Sequence, residues 1–330
     1  MYTQKVEELP PPPGVLSSLK AGFDAVSTHL GLILLPLALD LFLWLGPRLS
    51  VDQLTSPFFR IISDRARPDL TSTAQLNLMR EIIEQFNLLS LLGKLQTFPI
   101  GVSSLLSQTM PTKTPLGAQL VLEVPSVPGL IGLAFLLILF GWIVGGLYFR
   151  WVSGTILGHT NRAAGITSIR AIVQTLILSV VWLIGLILLI LPMTFVLTIL
   201  MLLSPALANG AFLVMLILSL WLVVPFFFVP HGIFVRNQNA FYSIFTSLRM
   251  TRFTLPTSTL FVFSVLLLSA ALNYLWSVPP DDSWMLLIGI AGHAFITTTL
   301  LAASFVYYRD INVWLHTVNE RRRQKQSIPT

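Results

Sequence analysis

AIVQTLILSVVWLIGLILLILPMTFVLTILMLLSPALANGAFLVMLILSLWLVVPFFFVP, residues 171–230, runs without a single Asp, Glu, Lys or Arg. A helix needs about 20 mostly apolar residues to cross a bilayer, so this stretch holds either two long spans or three short ones. Ser204-Pro205-Ala206-Leu207-Ala208-Asn209-Gly210 has turn chemistry. Pro192 offers no polar loop around it and predicts a kink or a tilted helix instead. Two helices are the better reading.

Four further spans are predicted outside this stretch, giving six at roughly 28–46, 129–149, 171–203, 211–230, 258–277 and 285–308. Charge placement supports the count. Segment 150–170 carries Arg150, Arg162 and Arg170, and segment 231–256 carries Arg236, Arg249 and Arg252, both without an acid. The opposite loops, 204–210 and 278–284, have no Lys or Arg, and the second holds Asp281 and Asp282. Six spans put every positive short loop on one side, as the positive-inside rule requires, whereas seven would break the pattern. Both termini are then expected in the cytosol of a cell with this protein in its cytoplasmic membrane. Trp44, Trp276 and Trp284 fall at outer ends, and Trp151, Tyr307, Tyr308 and Trp314 at inner ends, where interfacial aromatics belong.

Composition agrees. Of 330 residues, 54% are hydrophobic and 10% charged, against roughly 25% charged in a soluble domain, and mean hydropathy is +0.79. Soluble enzymes, disordered chains and fibrous proteins are excluded. The expected fold is all-α: a six-transmembrane-helix bundle with cytosolic interfacial amphipathic helices and a helical extracytoplasmic loop. By segment, 1–27 is a cytosolic N-terminal stretch, 28–308 the membrane domain including loop 47–128, and 309–330 a basic tail. The first hydrophobic run lacks a cleavage site and reads as an uncleaved anchor. The net charge of +6 points to anionic lipid on the cytosolic side, not to nucleic acid.

Loop 47–128 holds seven Lys/Arg and six Asp/Glu, so it is nearly neutral. Segment 71–94 predicts an amphipathic helix with Leu76, Met79, Ile83, Phe86 and Leu89 on one face. Segment 51–65 predicts a shorter one. With too few residues for a core of its own, the loop is expected on the outer mouth of the bundle. On the other side, 14–27, 160–170 and 238–252 each form an amphipathic run feeding a span. In the last, Phe241, Ile244, Phe245 and Leu248 make an apolar face beside Arg249 and Arg252.

Asp40 is the acidic residue well inside a predicted span, at a cost of at least ~2.5 kcal/mol unless partnered. His293 is the histidine in mid-span. At 1.5 Å per residue both lie roughly 9–12 Å deep, so a shared proton between them is one reading, with Asn273 and Thr297 in the same layer. The alternative is a bonded core residue in each case. Gly141 and Gly145, with Gly146, predict close helix packing. Arg321, Arg322, Arg323 and Lys325 form a juxtamembrane cluster that, with Arg249 and Arg252, suits anionic headgroups. There are no cysteines. His29, His159, His231, His293 and His316 lack metal-ligand spacing, and no phosphate loop or nucleophile elbow occurs. No cofactor, metal or catalytic residue is expected.

The proline-bounded span end Pro225 to Pro230, the run Ser243, Ser247, Leu248, Arg249, Thr251, Arg252, and Tyr307-Tyr308-Arg309-Asp310-Ile311 resemble bacterial and archaeal six-helix integral membrane proteins related to the membrane domain of glycerophosphoryl diester phosphodiesterases. The likeness covers the last third of the chain well and the first third poorly, and loop 47–128 departs from it. It implies a six-helix bundle near lipids. It carries over no catalytic site, because in that family the chemistry belongs to a separate soluble barrel. The expected function is a non-catalytic scaffold or lipid-associated accessory protein of the membrane. The alternative is a small transporter or lipid permease using Asp40 and His293. A protein partner or homo-oligomer is left open.

Overall fold

The computed structural model describes residues 11–65, 70–93, 98–158 and 166–326. It is about 81% helical with no closed sheet. Five helices are long and apolar enough to cross a membrane: α6 (Val127–Ile156), α7 (Ser168–Leu203), α8 (Pro205–Arg236), α9 (Ala240–Trp276) and α10 (Leu286–Gln326). Before them come α1 (Val15–Thr28), α2 (Leu34–Leu45), α3 (Asp52–Arg65), α4 (Leu70–Gln85) and the single turn α5 (Leu106–Thr109).

The break at Ser204 is where the sequence puts it. Ser204 is extended (φ −165°, ψ 126°), and Pro205 opens α8, where a missing N–H is no loss. Thr167, Asn239 and Ser126 accept N–H bonds at the starts of α7, α9 and α6, each satisfying a donor the helix cannot.

The predicted first span, 28–46, differs. It is not one straight helix: α1 ends at Thr28, a 3-10 turn covers Leu30–Ile33, and the chain bends by 95° into α2. Thr28 and His29 side chains bond back to carbonyls of Asp24 and Ala25, ending α1, and Pro36 sits in the first turn of α2, so the turn cannot continue backward as α-helix. A sixth span exists only if this bent pair is counted as one. α1 lies against α10 through Ser18, Gly22 and Val26. A Cβ on Gly22 would stand 2.6 Å from the Ala303 nitrogen, so only glycine permits this approach. Leu16 and Phe23 face outward.

α9 joins the predicted amphipathic run 238–252 to the span 258–277 through a kink at Thr254 (φ −122°, ψ 18°), two residues before Pro256. Its buried face is Ser243, Ser247, Met250 and Thr251, while Phe241, Phe245 and Leu248 point away from the bundle. Ser243 Oγ donates to the Val229 carbonyl at 2.5 Å, and Ser247 Oγ donates to that of Pro225. Two hydroxyls one turn apart on α9 thus meet two carbonyls one turn apart on α8. The third amphipathic run, 160–170, falls largely on residues outside those described.

Contacts fix the two ends of the bundle. Val15 and Leu19 of α1 pack with Tyr308, Ile311, Trp314 and Leu315, so the start of α1 and the later part of α10 share one end, called the termini end below. There Arg170 donates to the Asn237 carbonyl (2.6 Å) and Arg236 to Asn312 (3.2 Å). At the far end Trp44 Nε1 donates to the Asp281 carbonyl (2.8 Å), and its ring meets Trp284 edge-on. Arg48–Ser50 pairs in parallel with Val121–Glu123, closing segment 47–126 into a loop.

α7 and α8 part from the bundle near their shared turn. Between Val180 and Val223, Ala208 is the one buried residue among those described. These half-helices form an apolar two-helix arm.

Candidate functional site

The long loop is not confined to the mouth of the bundle. Helix α4 stops at Gln85, short of the predicted end at residue 94, because the Asn87 side chain turns the chain. Its Oδ1 accepts from Leu89 N (3.1 Å) and Leu49 N (3.0 Å), the local competition that makes Asn a poor helix-interior residue. A 3-10 turn, Leu88–Leu92, follows. Phe98 to Leu106 then descends into the bundle. Ile100 and Val102 join the central core beside Tyr148, Phe149 and Phe305, and Leu105 and Leu106 join a second core with Leu43, Trp44, Leu286 and Ile290.

Gly141 and Gly145 are the seat for this segment, not for another helix. A Cβ on Gly145 would lie 2.6 Å from the Gly101 Cα, and one on Gly141 would lie 3.0 Å from the Leu92 oxygen. Tyr148 OH and Thr298 Oγ1 are 2.7 Å apart, which sets α6 and α10 in register. Gly145 is then level with about Phe295, nine residues past Leu286, or roughly 13 Å along α10. The hydrocarbon core is about 30 Å thick. That distance is about half the thickness of such a slab.

Irregular backbone at such depth must be satisfied by protein. Asp40 does this. Its Oδ1 accepts from Ser104 Oγ (2.5 Å) and Leu106 N (3.1 Å), and its Oδ2 from Leu105 N (3.1 Å). The carboxyl caps α5 and is fully buried. The postulated Asp40–His293 pair does not form. His293 Nδ1 donates to Asn273 Oδ1 (2.7 Å), and Thr297 donates to the His293 carbonyl (2.8 Å). So Asn273, His293 and Thr297 come together as a layer, and Asp40 belongs to another. α2 meets α10 at Leu286 and Ile290, whereas His293 faces α9.

Beneath the loop tip lies a cavity of about 380 Å³ enclosed by α6, α7, α8, α9 and α10. Residues 98–103 roof it, and its walls are largely aromatic, with Tyr148, Phe149, Trp182, Phe226 and Phe227. Trp182 meets Phe226 edge-on at 4.8 Å. The cavity reaches the apolar surface where the α7–α8 arm leaves the bundle, beside Val223 (39% exposed) and Leu266 (47%). None of its lining residues is Asp, Glu, Lys or Arg. Ser304 donates to the Leu301 carbonyl (2.6 Å), so His231 donates its Nε2–H to Ser304 Oγ (2.7 Å). Asn273 and His293 stand one turn above the cavity residues Ser269 and Thr297. Asp40 is not among the lining residues.

Of the predicted lipid-contact residues, Arg249, Arg252, Arg322 and Arg323 are exposed at the termini end and Arg321 is half-buried. The Lys325 side chain lies outside the described residues. Sequence reasoning missed the inserted segment, Ser104 as the Asp40 partner, and the cavity. One signal was available: Asp40 requires a partner, and FPIGVSSLL, residues 98–106, is too apolar for an open loop and too short to span.

Comparison with protein-family models, with curated proteins and with solved structures finds no match to this chain. Its several long apolar helices make it consistent with a multi-pass membrane protein.

Proposed function

We propose that this chain is a non-catalytic lipid-handling protein of the cytoplasmic membrane, whose central cavity takes up an apolar chain from the surrounding bilayer. The observation that carries this reading is the cavity itself. Its volume lies at the small end of the ~300–1,000 Å³ typical of ligand pockets, its walls are aromatic and aliphatic, and its exposed rim at Val223 and Leu266 is apolar. Asp40 serves structure in this reading: it is sealed, bonded and outside the cavity, which weighs against a permease built around it. Orientation follows the positive-inside rule. Arg170, Arg236, Arg249 and Arg252 share the termini end, which faces the cytosol, while Asp281 and Asp282 lie at the other.

Native mass spectrometry of the detergent-purified chain tests the reading. Wild type is expected to retain one apolar molecule per chain after bulk lipid is stripped. Ser269→Trp, which places an indole in the cavity, is expected to lose it. A bare wild type, or an unchanged occupant in Ser269→Trp, refutes the proposal.

A further inference from the structure

Residues 240–253, the part of α9 before its kink, are built inside out. Ser243, Ser247 and Thr251 face the bundle, and the first two have no exposed surface, whereas Phe241 and Phe245 keep 66% and 62% of theirs. Tyr242, Leu248 and Phe253 are exposed beside them. A helix packed on a protein in water does the reverse, burying its apolar stripe and exposing its hydroxyls. The same outer face carries Arg249 and Arg252, both exposed and without an ion-pair partner among the described residues. Segment 231–256 has no Asp or Glu, so no neighbour along the chain neutralises them. The helix begins at the termini end, where Ala240 N donates to Gln174 Oε1 (2.8 Å) and Arg236 to Asn312. Past the kink at Thr254 the outward face goes on with Leu260, Phe263 and Leu267.

We infer that residues 240–253 lie along the membrane surface at the termini end, with their aromatic rings between the headgroups and Arg249 and Arg252 on the phosphate of an anionic phospholipid. With the orientation proposed above, this is the cytosolic leaflet. Two demands fix the depth. Five large apolar or aromatic side chains on one face are wrong for water, and two guanidinium groups are wrong for hydrocarbon. The boundary between headgroups and acyl chains meets both, and it is where interfacial aromatics gather. Arg249 and Arg252 are three residues apart, which puts their Cβ atoms about 5–6 Å from each other on the helix surface, so one phosphate reaches both. Each guanidinium meets it with paired N–H groups. Charge favours lipid over a second copy as the cover, because an isologous contact through this face would set the arginines against themselves. The inference does not depend on what the central cavity holds.

The chain has no cysteine, so Phe245→Cys gives a single attachment point for an NBD fluorophore on this face, and Phe241→Cys gives a second. The full-length labelled protein is reconstituted into phosphatidylcholine vesicles that contain a small, equal fraction of either spin-labelled phosphatidylglycerol or spin-labelled phosphatidylcholine. Both lipids are expected to quench the fluorophore, and iodide on both sides of the membrane is expected to leave it bright. At low salt the anionic quencher should be enriched about fivefold per arginine, or roughly 30-fold for the two. Arg249→Gln with Arg252→Gln should bring the ratio near one, while Arg249→Lys with Arg252→Lys keeps most of it, which separates loss of charge from loss of fold. Quenching by iodide instead of lipid overturns the placement, and so does shielding from both, the result a second copy or an acidic protein on this face would give. Equal quenching by the two lipids in wild type, or a preference that survives the double Gln variant, overturns the arginine–phosphate contact.

Discussion

Replacing Asp40 removes the acceptor on which the inserted segment depends. In Asp40→Ala, Ser104 Oγ can rotate toward another carbonyl, but the amides of Leu105 and Leu106, held at 3.1 Å from the carboxyl, cannot leave the apolar interior. A buried donor left unsatisfied costs about 1–3 kcal/mol, so two of them predict a loss of roughly 2–6 kcal/mol. Asp40→Asn keeps one acceptor and turns an NH2 toward a donor, predicting a loss of about 1–3 kcal/mol from the mismatch alone. The effect is local, because α2 remains tied at its other end: Gln119 donates to the Leu43 and Trp44 carbonyls, and Trp44 to Asp281. Amide hydrogen exchange in nanodiscs is therefore the assay. Protection over residues 104–109 should fall roughly 5- to 150-fold in Asp40→Asn, with α9 unchanged. Equal exchange at 104–109 in wild type and variant would refute the reasoning even if the overall Tm dropped.

Gly145→Ala drives a methyl against the Gly101 backbone and should cost about 1–3 kcal/mol, read as a lower Tm in detergent. Gly154→Ala, where a Cβ meets nothing, should leave Tm unchanged or raise it. Ser243→Ala with Ser247→Ala removes both rungs between α8 and α9 and should cost about 0.6 kcal/mol per rung, the usual size of such bonds in membranes. A double-mutant cycle measures it, and no loss from either serine would show the rungs idle. Burial raises the Asp281 carboxyl above its ordinary range, and the neighbouring Asp282 charge raises it further. A raised acid favours the folded state while protonated, so the 281–284 turn should be firmest at acid pH and loosen as pH rises through that raised value. Trp44 fluorescence should follow this change, and Asp281→Asn should flatten it.

The count of long helices was readable because it rests on one-dimensional facts: the charge-free run 171–230, one polar break at 204–210, and short loops that alternate between arginine-bearing and arginine-free. The bend at His29 was not, since Pro36 reads equally as a kink within a span. Depth counted along a straight helix is one coordinate of three, and the count gave Asp40 and His293 the same depth although they bond to different partners in different layers. The inserted segment escaped notice for a related reason. Its nine residues, apolar but for Ser103 and Ser104, are stabilised by two distant glycines and one carboxyl, contacts that no local periodicity records. The layer of Asn273, His293 and Thr297 was legible because residues 293 and 297 are a helical turn apart and Asn273 lies at the same outer end of its own span.

The arm formed by α7 and α8 has a geometric consequence. α7 is 36 residues long, or about 54 Å, and its outer two-thirds touches almost nothing but its partner helix. A hydrocarbon slab about 30 Å thick cannot hold such a rod upright. A rod of that length fits only if it leans, and its lean is set at its base, where Ala171, Thr175, Leu178 and Ser179 of α7 are buried in the bundle. Val223 stands at the same base on α8, on the rim of the cavity, so the packing that aims the arm also shapes that rim.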